Sequence, residues 1–174
     1  MKTKYLIIAG LLLTIASGQS WSDTQKGDDF SRALSDSVIP FMVVSELSLL
    51  NNGDKGKAEA VQGAKALIAT GILTYGLKSA FRVERPNGSA LNSFPSGHTS
   101  AAFAVATVVA DYQPEYKWPA YTLATAIGWS RVENGCHRWN EVIAGAALGY
   151  FTAKRYTNQQ LTVTPDGVGV SWKF

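Results

Sequence analysis

Residues 95–112 read PSGHTSAAFAVATVVADY. The first four residues and the rest of this stretch serve different ends. Ser96 is a residue type that starts helices, and Gly97 lets another group come close to the backbone. From Thr99 to Ala110 the chain then runs through small and apolar residues with no charge. A helix that is apolar on most of its faces belongs inside a bundle, surrounded by other helices. Twelve such residues fall short of the ~20 needed to span a bilayer.

The neighbouring segments fit that arrangement. Trp118 to Arg131 and Asn140 to Tyr156 read as two more helices, and Lys57 to about Phe81 as a long one rich in Ala and Leu. Asp28 to Leu50 has apolar residues at helical spacing, with Pro40 expected to break or kink it. Asn51 to Gly56 and Arg82 to Pro95 carry Gly, Asn and Pro and read as loops. The expected fold is all-α, a helical bundle followed by a small β-hairpin over residues 161–174. There the alternation Leu161-Thr162-Val163 and Val168 to Phe174 flanks Pro165-Asp166-Gly167, which is strong turn chemistry.

The N-terminus has another character. Lys2 and Lys4 precede an apolar run from Tyr5 to Ala16, then small residues. This is the pattern of a secretory signal over residues 1–18, its end placed as late as residue 22. Residues 19–160 then form the helical domain. Without Lys2 and Lys4 the chain carries 14 basic and 13 acidic residues. So balanced a charge gives no footprint for nucleic acid. Cys136 is the single cysteine, which leaves an exported chain no internal disulfide; it reads as a small buried residue.

Three clusters carry chemistry. Pro95-Ser96-Gly97-His98 places a histidine in the first turn of a helix whose free N–H groups and dipole favour an anion. His137 and Glu141 are four residues apart, a spacing that on one helix face brings a carboxylate to an imidazole. Arg131 lies six residues before His137, across the turn-like Asn134-Gly135. Upstream, Lys78 and Arg85 add fixed positive charge, with Arg82 close by and not separable by spacing. Arginine matches phosphate oxygens as a fork, lysine as a point charge.

Lys78 and Arg85-Pro86, then Pro95-Ser96-Gly97-His98, then Ser130-Arg131 with His137 and Glu141, resemble the signature of the type 2 phosphatidic acid phosphatase superfamily. This superfamily includes bacterial class A acid phosphatases and vanadium haloperoxidases. The resemblance runs in family order from Lys78 to Glu141. It implies a helical-bundle fold and a metal-independent phosphatase without cofactor, acting on phosphate monoesters or pyrophosphates. It further implies that His137 attacks phosphorus, Glu141 orients it and His98 transfers protons to the leaving oxygen and from water. Lys78, Arg85, Ser96, Gly97 and Arg131 bind the phosphate. Two departures stand out. Glu141 replaces the family aspartate, and only eight residues separate Pro86 from Pro95.

The first substrate expectation is a lipid phosphate, with peripheral membrane contact and a periplasmic or otherwise exported location. Phe94, Phe103, Trp129 and Trp139 are the candidates to line an apolar groove. The alternatives are a soluble non-specific acid phosphatase, a non-catalytic protein that binds a phosphorylated ligand, and a vanadium haloperoxidase.

Overall fold

The computed structural model describes residues 27–164 and 167–172. The expected signal segment and the turn residues Pro165 and Asp166 lie outside the described residues. Among the described residues six α-helices make up the body: α1 (Asp29–Asp36), α2 (Val38–Leu50), α3 (Gly53–Phe81), α4 (Gly97–Tyr112), α5 (Lys117–Glu133) and α6 (Trp139–Thr157). A 3₁₀ turn, Pro114–Tyr116, joins α4 to α5. Beyond α6, β1 (Gln159–Thr164) pairs antiparallel with β2 (Gly167–Trp172), Gln159 opposite Trp172 and Thr164 opposite Gly167.

Two boundaries differ from the sequence reading. The break in Asp28–Leu50 falls at Ser37, not at Pro40. Pro40 sits in the first turn of α2, where its missing N–H has no intrahelical acceptor to lose. The loop expected over 51–56 shrinks to Asn51 and Asn52, because α3 already starts at Gly53. Asp29–Leu50 taken as one stretch is long and apolar enough to cross a membrane, and 44% of its most apolar window is buried against the bundle. The break at Ser37 leaves α2 with 13 residues, about 20 Å of helix against a hydrocarbon core of ~30 Å.

Helix α4 is the centre, touching α2, α3, α5 and α6. Its Ala102, Ala104 and Ala106 are fully buried, and Val105, Val108 and Val109 nearly so. One side packs on Phe41, Leu123 and Ile127; the other on Leu49, Ala66 and Ala153. Each buried branched side chain contributes roughly 1.5–3 kcal/mol by leaving water.

The contact between α4 and α6 is set by two glycines one turn apart. A Cβ on Gly145 would stand 2.6 Å from the Ser96 carbonyl oxygen, and one on Gly149 2.1 Å from that of Ser100. No side chain fits in that space, so the helices meet backbone to backbone. At the other end of this pair, Asp111 accepts hydrogen bonds from Lys154 and Thr157, each at 2.5 Å. Close packing along α4 and α6 therefore fixes where their opposite ends, Ser96 and Glu141, stand relative to each other.

Candidate active site

The C-terminus of α3, the N-terminus of α4, the C-terminus of α5 and the N-terminus of α6 carry the candidate residues. The Ser96 N–H donates to the Glu141 carbonyl oxygen at 3.0 Å, tying the start of α4 to the first turn of α6. Ser96 occupies the N-cap position but makes no side-chain cap. Its hydroxyl pairs instead with Thr99 Oγ1 at 2.9 Å. The first i→i−4 bond of α4 runs from Ser100 N–H to the Ser96 carbonyl at 3.0 Å. The N–H groups of Gly97, His98 and Thr99 therefore precede the helical ladder, as free donors at a helix start do.

His137 and Glu141 meet, but not as a pair along one helix face. The helix begins at Trp139 with Arg138 as N-cap, so His137 lies just outside it and Glu141 is its third residue. From that position Glu141 Oε2 accepts the Arg138 backbone N–H at 3.0 Å and faces His137 Nδ1 at 3.1 Å. Oε1 accepts from the Arg138 guanidinium at 3.1 Å. The Ser93 hydroxyl also donates to Oε2 and lies 3.4 Å from His137 Nδ1. Glutamate at the third helical position reaches back to the N-cap N–H, as in a capping box. The extra methylene relative to aspartate thus has a use at this helix start.

Both members of the pair are buried, His137 at 3% and Glu141 at 1% exposure. Burial pushes the Glu141 carboxyl up, but hydrogen bonds from Ser93, Arg138 and His137 outweigh it and hold the group below its ordinary value. An ionised carboxylate only accepts, so the proton between the two side chains sits on His137 Nδ1. His137 is lowered to about 4, by burial first and then by the charge of Arg131, against the hydrogen bond it donates to Glu141. A neutral ring with its proton on Nδ1 leaves the Nε2 lone pair available.

The remaining candidates surround this pair with positive charge. Arg131, in the last turn of α5, is 3% exposed. It donates through one terminal nitrogen to Ser35 Oγ of α1, while its buried Nε has no partner among the described residues. Lys78, in the last turn of α3, donates to the Asn92 carbonyl, and Arg85 Nε donates to Asn92 Oδ1 at 2.9 Å. Asn92, late in the α3–α4 loop, thus gathers two cations from the end of α3 and the start of the loop. Lys78 is lowered to about 8, by burial first and then by Arg85. His98 is lowered to about 3, by burial and then by Arg131, His137, Arg85 and Lys78. The charges of Arg131, Arg85 and Lys78 act on both His98 and His137, so the structure brings all of them to one end of the bundle. Among the described residues no group of three His, Cys, Asp or Glu side chains is placed to hold a metal.

The spacing of motifs left three residues unread: Ser93, Asn92 and Ser35. Ser93 appears in sequence as one polar residue of a loop, and its position against Glu141 depends on how that loop folds back; its N–H donates to the Val83 carbonyl at 2.8 Å. Arg138 went unread as well, although a Glu three residues on is a sequence signal for the N-cap position it occupies. Cys136 is buried at 1% exposure. Of the aromatics proposed for a groove, Phe103 packs against the core beside Tyr121 and Phe94 stacks edge-on against Phe81, whereas Trp129 and Trp139 are 37% and 55% exposed.

The family model of the PAP2 superfamily matches residues 60–165. The chain belongs to the PAP2 superfamily. The match takes in α3 from residue 60 onward, α4 to α6, and every candidate site residue from Lys78 to Glu141. A stretch of 121 residues, 64% of this PAP2 chain and 27% of the relative, is 36% identical to a lipid A 1-phosphatase of Porphyromonas gingivalis. Another of 62 residues, 36% of this chain and 30% of the relative, is 39% identical to the bacitracin transport permease protein BcrC of Bacillus licheniformis. The chain spans less than a third of the length of these curated relatives. The crystal structure of Aquifex aeolicus LpxE superposes with a TM-score of 0.58 over 84% of this chain and 93% of that one. At 22% identity that likeness is one of fold.

Proposed function

We propose that this PAP2 chain is an exported, membrane-associated phosphatase that hydrolyses lipid phosphate esters through a phosphohistidine at His137, without a metal. The single observation that carries the reading is the set made by neutral His137, its Nδ1 proton held by Glu141, and the buried, unpartnered Nε of Arg131. A nucleophile and a free guanidinium donor in one cationic recess are what an in-line attack on phosphorus requires. The lipid A 1-phosphatase similarity supports a lipid phosphate as the substrate class.

In the proposed reaction the phosphoryl group sits between Lys78, Arg85, Arg131 and the N–H groups at the start of α4. His137 Nε2 forms the P–N bond as the P–O bond to the leaving group breaks, and His98 protonates that oxygen. The positive charge gained by the phosphorylated ring is offset by Glu141. Neutral His98 then takes a proton from water, whose oxygen attacks phosphorus and releases His137. Phosphoryl transfer of this kind is largely positioning and charge stabilisation at the equatorial oxygens.

The test is phosphate release by the full, processed protein in EDTA, from phenyl phosphate and from a phosphatidate dispersion. Wild type releases phosphate and transiently carries an acid-labile phosphoryl label, whereas His137→Ala does neither. Turnover by His137→Ala at the wild-type rate refutes the covalent mechanism. Phosphate binding with no release from any substrate would identify a non-catalytic binding protein.

A further inference from the structure

The face of α3 that leads to Lys78 is apolar where solvent-facing helices are normally polar. Ile68, Ile72 and Tyr75 are 64%, 67% and 74% exposed. They recur at four- and three-residue steps, so they lie one above another along the helix. Among the described residues nothing packs on this face; positions where Gly71 and Gly76 would carry a Cβ have no neighbour within 4 Å. The stripe ends in a cleft of about 410 Å³ lined by Tyr75, Lys78, Ser79, Arg82, Leu91 and Asn92. That volume lies within the ~300–1,000 Å³ of small-molecule sites.

Two of the lining residues, Lys78 and Asn92, also belong to the cationic recess, so the cleft opens directly from it. Leu91, 53% exposed, supplies a second apolar wall. Arg82 supplies charge, and its backbone is unusual. It closes α3 in the left-handed conformation, at φ 47° and ψ 45°. Glycine is the usual residue at such a helix end because a Cβ costs energy there. Here the position carries a long cation, whose guanidinium has no hydrogen-bond partner among the described residues. An apolar track that ends in a free arginine beside a phosphate site complements a molecule with a hydrocarbon chain and more than one anionic group.

We propose that this cleft receives the leaving group of an amphiphilic phosphate ester, its chain along Tyr75, Ile72 and Ile68 and a second anionic group on Arg82. The inference rests on the phosphatase reading and specifies its substrate class. Tyr75, Ile72 and Arg82 act here as specificity residues.

The experiment compares kcat/KM for phenyl phosphate, decyl phosphate and 1-decylglycerol 2,3-bisphosphate, each below its micelle concentration, in wild type, Ile72→Ser/Tyr75→Ser and Arg82→Ala. All three side chains are exposed, so the variants keep the core. In the double variant the decyl-to-phenyl ratio falls about tenfold, the effect of one or two methylenes losing their apolar contact. In Arg82→Ala the bisphosphate-to-monophosphate ratio falls about tenfold, as expected for the loss of one charge-assisted contact. Ratios unchanged in both variants, with phenyl phosphate still hydrolysed, overturn the cleft and leave the phosphatase reading standing. If no substrate is hydrolysed, that reading fails instead, and calorimetry with decyl phosphate and the bisphosphate decides the cleft. Binding weakened about tenfold by the variants supports it; equal binding, or none to wild type, overturns it.

Discussion

Ser93→Ala isolates what holds Glu141. The Ser93 side chain is fully buried, and its hydroxyl donates to the same oxygen, Oε2, that faces His137 Nδ1. Removing it leaves the carboxylate with three donors: the Arg138 backbone N–H, the Arg138 guanidinium and His137 Nδ1. A hydrogen bond to a charged group contributes roughly 1.5–3 kcal/mol, so the fold should lose about that much. Glu141 is held below its ordinary value only because its hydrogen bonds outweigh burial. Without Ser93 the balance tips upward, and Glu141 takes a proton at higher pH than in wild type. A protonated Glu141 neither orients His137 nor offsets its charge. If half the lost interaction operates in the transition state, kcat falls roughly 4- to 13-fold, at 1.36 kcal/mol per decade. The acid limb of kcat against pH moves to higher pH, and Ser93→Thr restores part of both. Urea unfolding and a pH series with phenyl phosphate measure these effects. A Ser93→Ala protein that loses stability while keeping the wild-type kcat and pH profile would show that Ser93 merely fills space.

Glu141→Asp, although it installs the family residue, should lower kcat at least about tenfold, since the shorter side chain gives up either the N-cap N–H or His137, each a charge-assisted bond; wild-type kcat would refute this. Gly149→Ala must part α4 from α6 at a contact of 2.1 Å, and overpacking of this kind costs about 1–3 kcal/mol, read as a lower urea midpoint with unchanged slope. His98 and His137 are both depressed, to about 3 and about 4, so the unfolded chain binds more protons than the folded one below the ordinary histidine value of 6.5. Their contribution to stability is therefore full above pH 6.5 and is lost as pH falls towards 4 and then 3, a melting-temperature decline that bound phosphate or vanadate should oppose. A melting temperature flat across that range, with and without vanadate, would refute the electrostatic picture.

The bundle was legible because residues 99–110 carry no charge and are apolar on most faces, and such a helix has to be surrounded. Its exact breaks were less so. Pro40 looks like an interruption but is harmless in a first turn, while the actual break at Ser37 carries no strong local signal. In the site, motif order pointed to Lys78, Arg85, His98, Arg131, His137 and Glu141, and these do converge. The nature of the His137–Glu141 contact was misread, since spacing of four suggests a helix face and the geometry is that of a helix start. Ser93 was out of reach for a different reason. Its partner is 48 residues away, and nothing in a loop's composition says which way one hydroxyl turns. The cleft escaped likewise, because the aromatic residues singled out for a groove were chosen by type, whereas exposure along α3 selects Ile68, Ile72 and Tyr75.

The depression of His98 bears on how the proposed reaction is switched on. A group lowered to about 3 is neutral at any physiological pH, yet the leaving oxygen needs a proton. After burial, the causes of that depression are the cations Arg131, Arg85 and Lys78 and the neighbouring His137, and those cations are the groups proposed to bind phosphate. A phosphate dianion placed among them reverses the sign of the local field and favours protonated His98. The same dianion stabilises positive charge on His137, but there the attacking lone pair is consumed as the P–N bond forms. Substrate would thus create the acid it requires, and the empty site would hold both rings neutral. It follows that kcat/KM, which reports the free enzyme, should depend on pH differently from kcat, which reports the complex. Its alkaline-side midpoint should lie below that of kcat, since the ring that must donate the proton loses it at lower pH when no phosphate is present. Coincident midpoints for the two profiles would mean that His98 does not respond to the phosphate, and that the proton for the leaving group comes from elsewhere.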